Sequence, residues 1–166
     1  MIGAGALRSR LEAQRARMVE TLAQAVGIDS PTFPGQGAGA VASLFAGRYR
    51  ALGAEVERLP GAEGTGDHML ARFRGARPGG PKVILLGHCD TVFPEGEAAR
   101  RPFTVQGERA RGPGVADMKG SLVACLFALE ALAREGFRPA GEVLVLYDTD
   151  EERGNPSSRP HIERLG

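Results

Sequence analysis

The sequence has little excess charge of either sign. It contains 21 lysine and arginine residues against 20 aspartate and glutamate residues, which gives a formal net charge of +1. A chain so balanced produces no strong overall electrostatic field. We therefore expect neither nucleic acid nor an anionic membrane among its partners.

Long apolar runs and cysteines are also scarce. No run is long enough to span a bilayer, and arginines interrupt the first 17 residues, unlike a secretory signal. The two cysteines, Cys89 and Cys125, form no CxxC pair and are too few for the disulfide framework of a typical secreted protein. These absences predict a cytoplasmic protein.

The length and composition suffice for a compact core. A chain of 166 residues is of single-domain size and can bury roughly 70% of its unfolded surface. The 24 glycines and 11 prolines make up about a fifth of the chain, below the roughly 25–30% at which disorder becomes the default. The sequence therefore predicts a folded domain.

The order of apolar runs predicts an α/β fold. Residues 82–87 and 142–147 are continuous apolar runs of strand length, as expected for strands buried on both faces. Between them, residues 118–134 carry apolar side chains at helical spacing. A strand, a helix and a strand in this order predict a crossover that pairs the two strands in parallel. The pattern also predicts helices over about 7–26, 39–52 and 157–165, short strands over 54–59 and 69–74, and a hairpin around Val105 and Gly107.

Three short segments carry side chains suited to metal binding and proton transfer. They are Gly87-His88-Cys89-Asp90-Thr91, Gly114-Val115-Ala116-Asp117-Met118-Lys119 and Asp148-Thr149-Asp150-Glu151-Glu152. Each lies where an apolar strand ends or a helix begins, which is where open α/β sheets place their ligand sites. An imidazole and several carboxylates brought together there would hold one or two zinc ions.

His88 and Asp90 are two residues apart, so in a continuing strand both side chains point to the same side and Cys89 points to the other. Asp90 is then placed to orient the imidazole of a zinc-bound His88. The alternative is a His–Asp hydrogen bond without metal. We interpret Cys89 as a small buried apolar residue, since His88 would project away from it and leave a cysteine nucleophile without a base. Four other polar residues are interpreted as structural or surface residues: His68, Arg111, Lys119 and His161.

Acidic residues supply the rest of the candidate site. Asp117 begins the predicted helix over 118–134, where a carboxylate can cap backbone N–H groups or bind a cation. Four more carboxylates crowd the end of a predicted buried strand: Asp148, Asp150, Glu151 and Glu152. Their mutual repulsion favours a bound cation. The alternative is a solvated acidic loop that forms ordinary ion pairs with Arg153 and Arg159.

These motifs resemble those of the M20 family of zinc peptidases, and within it the glutamate carboxypeptidase branch. The likeness is most specific in Gly87-His88-Cys89-Asp90-Thr91-Val92, in Gly112-Pro113-Gly114-Val115-Ala116-Asp117-Met118-Lys119-Gly120, and in Thr149-Asp150-Glu151-Glu152-Arg153-Gly154 followed by Ser157-Ser158-Arg159. The resemblance implies an α/β three-layer sandwich in which helices flank a mostly parallel mixed sheet. It also implies a cis peptide bond at Asp117-Met118.

The resemblance further implies a role for each site residue. His88 would bind one zinc ion, Asp117 would bridge two, and Glu152 would bind the other. Asp90 would brace His88, and Glu151 would act as the general base. The implied cofactor is Zn²⁺, with Co²⁺ and Mn²⁺ as alternatives. The implied reaction, of the carboxypeptidase or aminoacylase type, is hydrolysis of the amide bond of a small peptide or N-acyl amino acid.

The resemblance covers the N-terminal part of an M20 catalytic domain, which we expect to occupy residues 1–166. Two further ligands, a lid or dimerisation domain and the closing strands of the sheet are expected outside this segment. We therefore expect an exposed sheet edge at 143–147, and a homo-oligomer or a complementing chain as the partner that covers it. Two functions stay open: a metallohydrolase, and a catalytically inactive truncated product that binds metal weakly or assembles with another chain.

Overall fold

The computed structural model describes residues 3–77 and 79–166. Its helices are α1 (Ala4–Ala13), α2 (Arg15–Val26), α3 (Gln36–Ala51), α4 (Glu97–Arg100), α5 (Gly120–Arg134) and α6 (Arg159–Leu165). Its strands are β1 (Glu55–Leu59), β2 (His68–Arg74), β3 (Lys82–His88), β4 (Thr104–Gln106), β5 (Arg109–Arg111) and β6 (Glu142–Asp148). An irregular turn over Val115–Lys119 precedes α5, and a short 3-10 turn over Glu151–Arg153 follows β6.

Four strands form a mixed sheet in the order β1-β2-β6-β3. The strand, helix and strand unit is confirmed, because α5 connects β3 to β6 and these two strands are parallel neighbours. The other two pairings, β1 with β2 and β2 with β6, are antiparallel. The sheet is therefore mixed, as expected, but less parallel than expected. The predicted hairpin is also present, as the antiparallel pair β4 and β5.

The sheet separates two apolar cores and so creates three layers. On one face, residues from α2, α3 and α5 pack against alternate sheet residues: Met69, Ala71, Val145 and Tyr147. On the other face, Leu165 and Ile162 of α6 pack against the intervening residues: Leu70, Leu144 and Leu146. Successive side chains of a strand point to opposite faces, which is why one strand serves both cores. The predicted α/β fold with helices flanking the sheet is confirmed.

The position of β6 contradicts one expectation about the sheet edge. β6 lies between β2 and β3 and is buried from Val143 to Asp148, so the predicted exposed edge at 143–147 is wrong. Among the described strands, β1 and β3 form the edges of this sheet. Val83 and Leu86 of β3 are 50% and 49% exposed, so the expectation that both faces of 82–87 are covered is also wrong. An edge strand has a neighbour on one side only, and fewer side chains reach it.

Two predicted helices contain a break that the apolar pattern did not locate. The predicted helix over 7–26 is two helices, which are separated at Gln14, whose backbone angles are φ −99° and ψ 4°. The predicted helix over 118–134 begins at Gly120, because Asp117 and Met118 adopt non-helical backbone angles. Apolar periodicity identifies the buried face of a helix, but it does not locate such breaks.

The two tyrosines meet at the centre of the larger core. Tyr49 and Tyr147 are fully buried, and their hydroxyl oxygens are 2.8 Å apart. The Tyr147 hydroxyl also donates to the carbonyl oxygen of Leu122 at 3.0 Å. Both hydroxyls therefore have partners in an apolar environment, where an unpaired polar group would be costly.

Glu130 of α5 forms an ion pair with Arg17 of α2. Its substitution tests how much this pairing stabilises the fold. Its buried carboxylate is 2.9 Å from Arg17 and 2.6 Å from Arg134. Burial alone would raise the pKa of Glu130, but hydrogen bonds from Arg17 and Arg134 outweigh that effect and hold the pKa below its ordinary value. We expect Glu130→Gln to lower the free energy of unfolding at pH 7 by about 1 kcal/mol, because a charge-assisted pairing is lost.

The effect of this substitution should depend on pH in one direction. A carboxylate whose pKa is lowered in the folded state stabilises the fold above its unfolded pKa of about 4.3, and this contribution disappears as the pH falls through the folded pKa. Chemical denaturation at pH 7 and at pH 3 should therefore show a smaller difference between wild type and variant at pH 3. The matched control is Glu12→Gln, which removes the exposed pair with Arg8 and should change stability little. An equal loss at both pH values would contradict the expectation.

Within residues 3–77 and 79–166, none of the helices has the length and apolar character needed to cross a membrane.

Candidate metal centre

The candidate site lies where β3 and β6 end side by side. His88, the last residue of β3, pairs with Asp148, the last residue of β6. The backbone N–H of Cys89 then donates to the carbonyl oxygen of Asp148 at 2.8 Å. Because the two strands are parallel, the segments that follow them leave the sheet at the same edge. The topology thus brings the residues after His88 close to those after Asp148.

His88 is a buried imidazole with defined partners on both ring nitrogens. Nδ1 lies 3.0 Å from the carbonyl oxygen of Asp90 and 3.3 Å from its Oδ1, and Nε2 lies 3.0 Å from Oδ1 of Asp117. A carbonyl oxygen only accepts, so Nδ1 carries a hydrogen and Nε2 faces the carboxylates. Burial alone would lower the pKa of His88, but the hydrogen bonds with Asp90 and Asp117 outweigh it and raise the pKa to about 9.

Asp90 lies beneath the site with its carboxylate fully buried. Oδ2 accepts from the Thr32 hydroxyl at 2.7 Å and from the Glu152 backbone N–H at 3.2 Å. Oδ1 accepts from the Glu151 backbone N–H at 3.3 Å and also faces His88. Burial would raise the pKa of Asp90, but hydrogen bonds from His88, Thr32 and Glu152 hold it below its ordinary value. Asp90 is therefore an ionised acceptor that contacts three separate segments.

Asp117 reaches the site from the irregular turn before α5. Its carboxylate bonds to His88, and its side chain is 77% exposed. The interpretation of Asp117 as a helix cap is wrong, because α5 begins three residues later and its first turn has no side-chain cap. The peptide bond between Asp117 and Met118 is cis, as the sequence resemblance implied.

Glu151 and Glu152 complete the group of converging side chains. One ligand atom from each of His88, Glu151 and Glu152 lies within 4.8 Å of the other two, and Glu151 Oε2 is 3.8 Å from His88 Nε2. Burial raises the pKa of Glu152, and the negative charges of Asp117, Asp90 and Glu151 add to the rise. Like charges are thus gathered around one imidazole, an arrangement that a cation would stabilise.

Asp148 and Asp150 are not part of this group, although the sequence pattern predicted that their carboxylates would crowd together with those of Glu151 and Glu152. Asp150 is fully buried and accepts hydrogen bonds from the hydroxyls of Ser157 and Ser158, both at 2.6 Å. Asp148 is also buried, and burial raises its pKa to about 7. The acidic segment therefore divides into two structural carboxylates and two that face the site.

The alternative of ion pairs between the acidic segment and Arg153 or Arg159 is not observed among the described residues. Neither Arg153 nor Arg159 pairs with an acidic side chain in the part of the chain that the structure describes. Arg153 lies over the Phe33 ring instead, and Arg159 donates to the carbonyl oxygen of Gly154. The interpretation of the acidic segment as a loop neutralised by these arginines is therefore wrong.

The residues interpreted as structural have that character. Cys89 is completely buried, and burial raises the pKa of its thiol. His68 is buried, with Nδ1 3.2 Å from the Thr149 backbone nitrogen, which donates to it. Lys119 is buried and donates to the carbonyl oxygen of Ile28 at 2.8 Å. His161 lies outside the group, with Nδ1 2.9 Å from Arg164.

Sequence reasoning missed Thr32, which bonds directly to Asp90. Thr32 lies in the segment between α2 and α3, which the sequence pattern identifies only as a helix break. A threonine in a proline-rich connection is a common residue type, and 58 positions separate it from its partner. We find no signal in this one sequence that would have singled it out.

A cavity of about 340 Å³ lies beside Glu152. Its walls are formed by Pro31, Thr32, Phe33, Thr91, Val92, Phe93, Pro94, Glu152 and Arg153. Phe33 and Val92 are 49% and 71% exposed, so the cavity offers apolar surface next to a candidate ligand. A larger cavity of about 740 Å³ lies between α3 and β1 and β2, and its lining contains none of the four converging site residues.

The donor atoms at the site fit a divalent transition metal. One imidazole nitrogen and several carboxylate oxygens form the donor set that zinc takes in proteins. The second nitrogen of His88 is held by an acceptor, as is usual for a metal-binding histidine. The side chains of Asp117 and Glu151 are 77% and 49% exposed, which leaves them room to adjust around an ion.

The family model of peptidase family M20/M25/M40 matches residues 84–166. Carboxypeptidase G2 of Pseudomonas sp. (strain RS-16) is 35% identical over 147 residues, which are 88% of this chain and 35% of that protein. The succinyl-diaminopimelate desuccinylase of Alkalilimnicola ehrlichii is 42% identical over 123 residues, which are 72% of this chain and 32% of that protein.

The fold has a solved counterpart in human carnosine dipeptidase 1. The two structures superpose with a TM-score of 0.81 at 20% identity, over 96% of this chain and 37% of that one. The chain thus spans about a third of the length of the relatives that it matches. Because the family model covers the segments that carry His88, Asp117 and Glu152, and a curated relative is 35% identical over most of the chain, this protein belongs to peptidase family M20/M25/M40.

Proposed function

We propose that this chain carries the N-terminal part of a zinc-dependent hydrolase site for the amide bond of a small peptide or N-acyl amino acid. The observation that supports the proposal is the convergence of His88 Nε2 with the carboxylates of Asp117, Glu151 and Glu152. The names of two relatives, a carboxypeptidase and a desuccinylase, favour hydrolysis at a peptide or N-acyl bond.

Each side chain has a proposed task. His88 binds metal through Nε2, since Nδ1 is engaged with Asp90. Asp117 and Glu152 would bind through carboxylate oxygens, with Asp117 proposed as the residue shared between two ions. Asp90 keeps the imidazole in the tautomer and orientation that leave Nε2 available. Zinc bound by these residues would lower the pKa of water and polarise the scissile carbonyl. Cobalt or manganese would suit the same donor set.

Glu151 is the proposed general base. Its Oε2 is 3.8 Å from His88 Nε2, and half of its side chain is exposed. A carboxylate in this position can take a proton from the attacking water and deliver it to the departing amine, provided that it stays off the metal. The backbone N–H of Glu151 donates to the Asp90 carboxylate, which helps to hold the segment that carries this side chain.

The cavity beside Glu152 is the proposed place for one side of the substrate. Its volume of about 340 Å³ falls at the small end of ligand pockets. Phe33, Val92 and Phe93 in its walls would suit an apolar acyl group or side chain. The guanidinium of Arg153, which also lines the cavity, would suit a carboxylate or carbonyl oxygen.

A second candidate function is metal binding without catalysis, with turnover only after another polypeptide segment completes the site. The observation that favours it is the openness of the group, since the Asp117 side chain is 77% exposed. A complementing chain or a second copy could supply the remaining ligands.

Zinc stoichiometry combined with a hydrolase assay tests the proposal. The chain is freed of metal with a chelator, titrated with Zn²⁺ and assayed on a panel of dipeptides and N-acyl amino acids. We expect bound zinc, and we expect His88→Ala to abolish it, whereas the control His161→Ala should bind zinc like wild type. Zinc with turnover supports the hydrolase, and zinc without turnover supports the second candidate. A wild-type chain that binds no zinc would contradict both.

A further inference from the structure

The Asp90 carboxylate is a junction between three parts of the chain. It is completely buried, yet it faces the His88 ring, the backbone N–H groups of Glu151 and Glu152, and the Thr32 hydroxyl. The 2.7 Å bond from Thr32 is the shortest of these contacts. Hydrogen bonds to an ionised carboxylate are stronger than those between neutral groups. Thr32 therefore has a large influence on how this carboxylate is oriented.

The segment that carries Thr32 is itself held in place. Lys119 donates from Nζ to the carbonyl oxygen of Ile28 at 2.8 Å. The backbone N–H of Thr91 donates to the carbonyl oxygen of Ser30, also at 2.8 Å. Thr32 is 4% exposed, so water does not compete for its hydroxyl. The Thr32 hydroxyl is thus a donor on a held segment, and its acceptor, the Asp90 carboxylate, is buried. Such a hydrogen bond orders the side chain of Asp90.

We propose that Thr32 is a positioning residue for the candidate site. Its hydroxyl fixes the rotation of the Asp90 carboxylate, and through Asp90 it fixes the His88 ring and the backbone of Glu151 and Glu152. Without the hydroxyl, Oδ2 of Asp90 retains only the 3.2 Å bond from Glu152, and the carboxylate can turn away from His88. The metal-binding part of this inference rests on the function proposed above, whereas the ordering of the backbone does not.

The test compares Thr32→Ser with Thr32→Ala. Both variants lose the threonine methyl group, and they differ only in the hydroxyl. Amide hydrogen exchange of Glu151 and Glu152, followed by NMR without metal, reports on the backbone. We expect exchange in Thr32→Ala to be about tenfold faster than in Thr32→Ser, because Asp90 no longer holds these N–H groups.

Metal affinity supplies the second readout. Zn²⁺ titration against a competing chelator should show Thr32→Ser close to wild type and Thr32→Ala about tenfold weaker, the lower end of the effect of outer-shell partners on metal sites. The control pair is Thr21→Ser and Thr21→Ala, because Thr21 is equally buried and its hydroxyl donates to the carbonyl oxygen of Arg17 within α2. Neither readout should separate the two control variants.

The outcomes are distinct. Faster exchange in Thr32→Ala, with rescue by Thr32→Ser, supports the inference even if the wild-type chain binds no zinc. That result would contradict both candidate functions but not the ordering of the backbone by Thr32. Equal exchange in the two variants overturns the inference, because a role in packing would be the same for both. If Thr32→Ala does not fold, Thr32→Val, which keeps the side-chain volume, takes its place, and exchange as slow as in Thr32→Ser then overturns the inference.

Discussion

Replacing Glu152 with alanine should remove most of the metal affinity of the site, whereas Glu151→Gln should keep the metal and stop hydrolysis. Glu152 is the proposed ligand, so its loss should weaken Zn²⁺ binding by at least about 100-fold. Glu151 is the proposed base, and glutamine cannot accept a proton, so turnover should fall by about 10² to 10⁴-fold. Retained zinc after dialysis and hydrolysis rates, both measured on the same preparations, separate the two effects.

The two adjacent glutamates serve as controls for each other. Glu151 and Glu152 are adjacent, and both donate a backbone N–H to Asp90, so each substitution changes a side chain and removes neither of these backbone bonds. Equal loss of metal in the two variants would mean that the ligand and the base have been assigned to the wrong glutamates. If the chain proves inactive on every substrate of the panel, the zinc measurement still decides which glutamate binds metal.

Gly37→Ala should be among the most destabilising single substitutions in this protein. A Cβ atom at Gly37 would overlap the carbonyl oxygen of Asp29, and the first turn of α3 and the start of the segment after α2 would have to separate. Overlap in a packed region typically costs about 1–3 kcal/mol, and we expect a value near 3 kcal/mol because backbone atoms cannot rotate away. Chemical denaturation measures the effect directly.

The same helix offers a matched control at Gly47. A Cβ there would meet nothing within 4 Å, so Gly47→Ala should stabilise the protein by about 0.5–1 kcal/mol through helix propensity and the entropy of the unfolded chain. The two substitutions are chemically identical and lie in α3 (Gln36–Ala51), yet opposite signs are expected. Stabilisation by both substitutions would show that propensity, rather than the contact with Asp29, governs this helix.

The sequence was sufficient to predict the convergence of distant side chains. His88 and Asp117 are 29 residues apart, but each follows or precedes a regular element whose end could be recognised from its apolar pattern. The parallel crossover then places the end of β3 next to the end of β6, which brings Glu151 and Glu152 near His88. The positions of the strand ends and the rule that a strand–helix–strand crossover pairs its strands in parallel were enough to predict this convergence. The reason is that backbone connections, more than side-chain packing, bring these residues together.

Other features could not be predicted because they depend on neighbours that the sequence does not identify. Val83 and Leu86 have the side chains of a covered strand but lie at the sheet edge, since strand order is a long-range property. Asp150 has the same chemistry as Glu151 but turns toward Ser157 and Ser158. Whether a carboxylate of this segment faces the site or the protein interior is decided by tertiary hydrogen bonds. The local sequence pattern does not reveal these bonds.

The buried tyrosine pair has a practical consequence for optical experiments. The chain has no tryptophan and only two tyrosines, and both tyrosines are enclosed in the core. The tyrosine signals of the native protein therefore come from chromophores that do not line the cavity beside Glu152. A single indole introduced at the exposed Val92 would be the sole tryptophan fluorophore, so its emission would report on ligand entry without a background from other tryptophans.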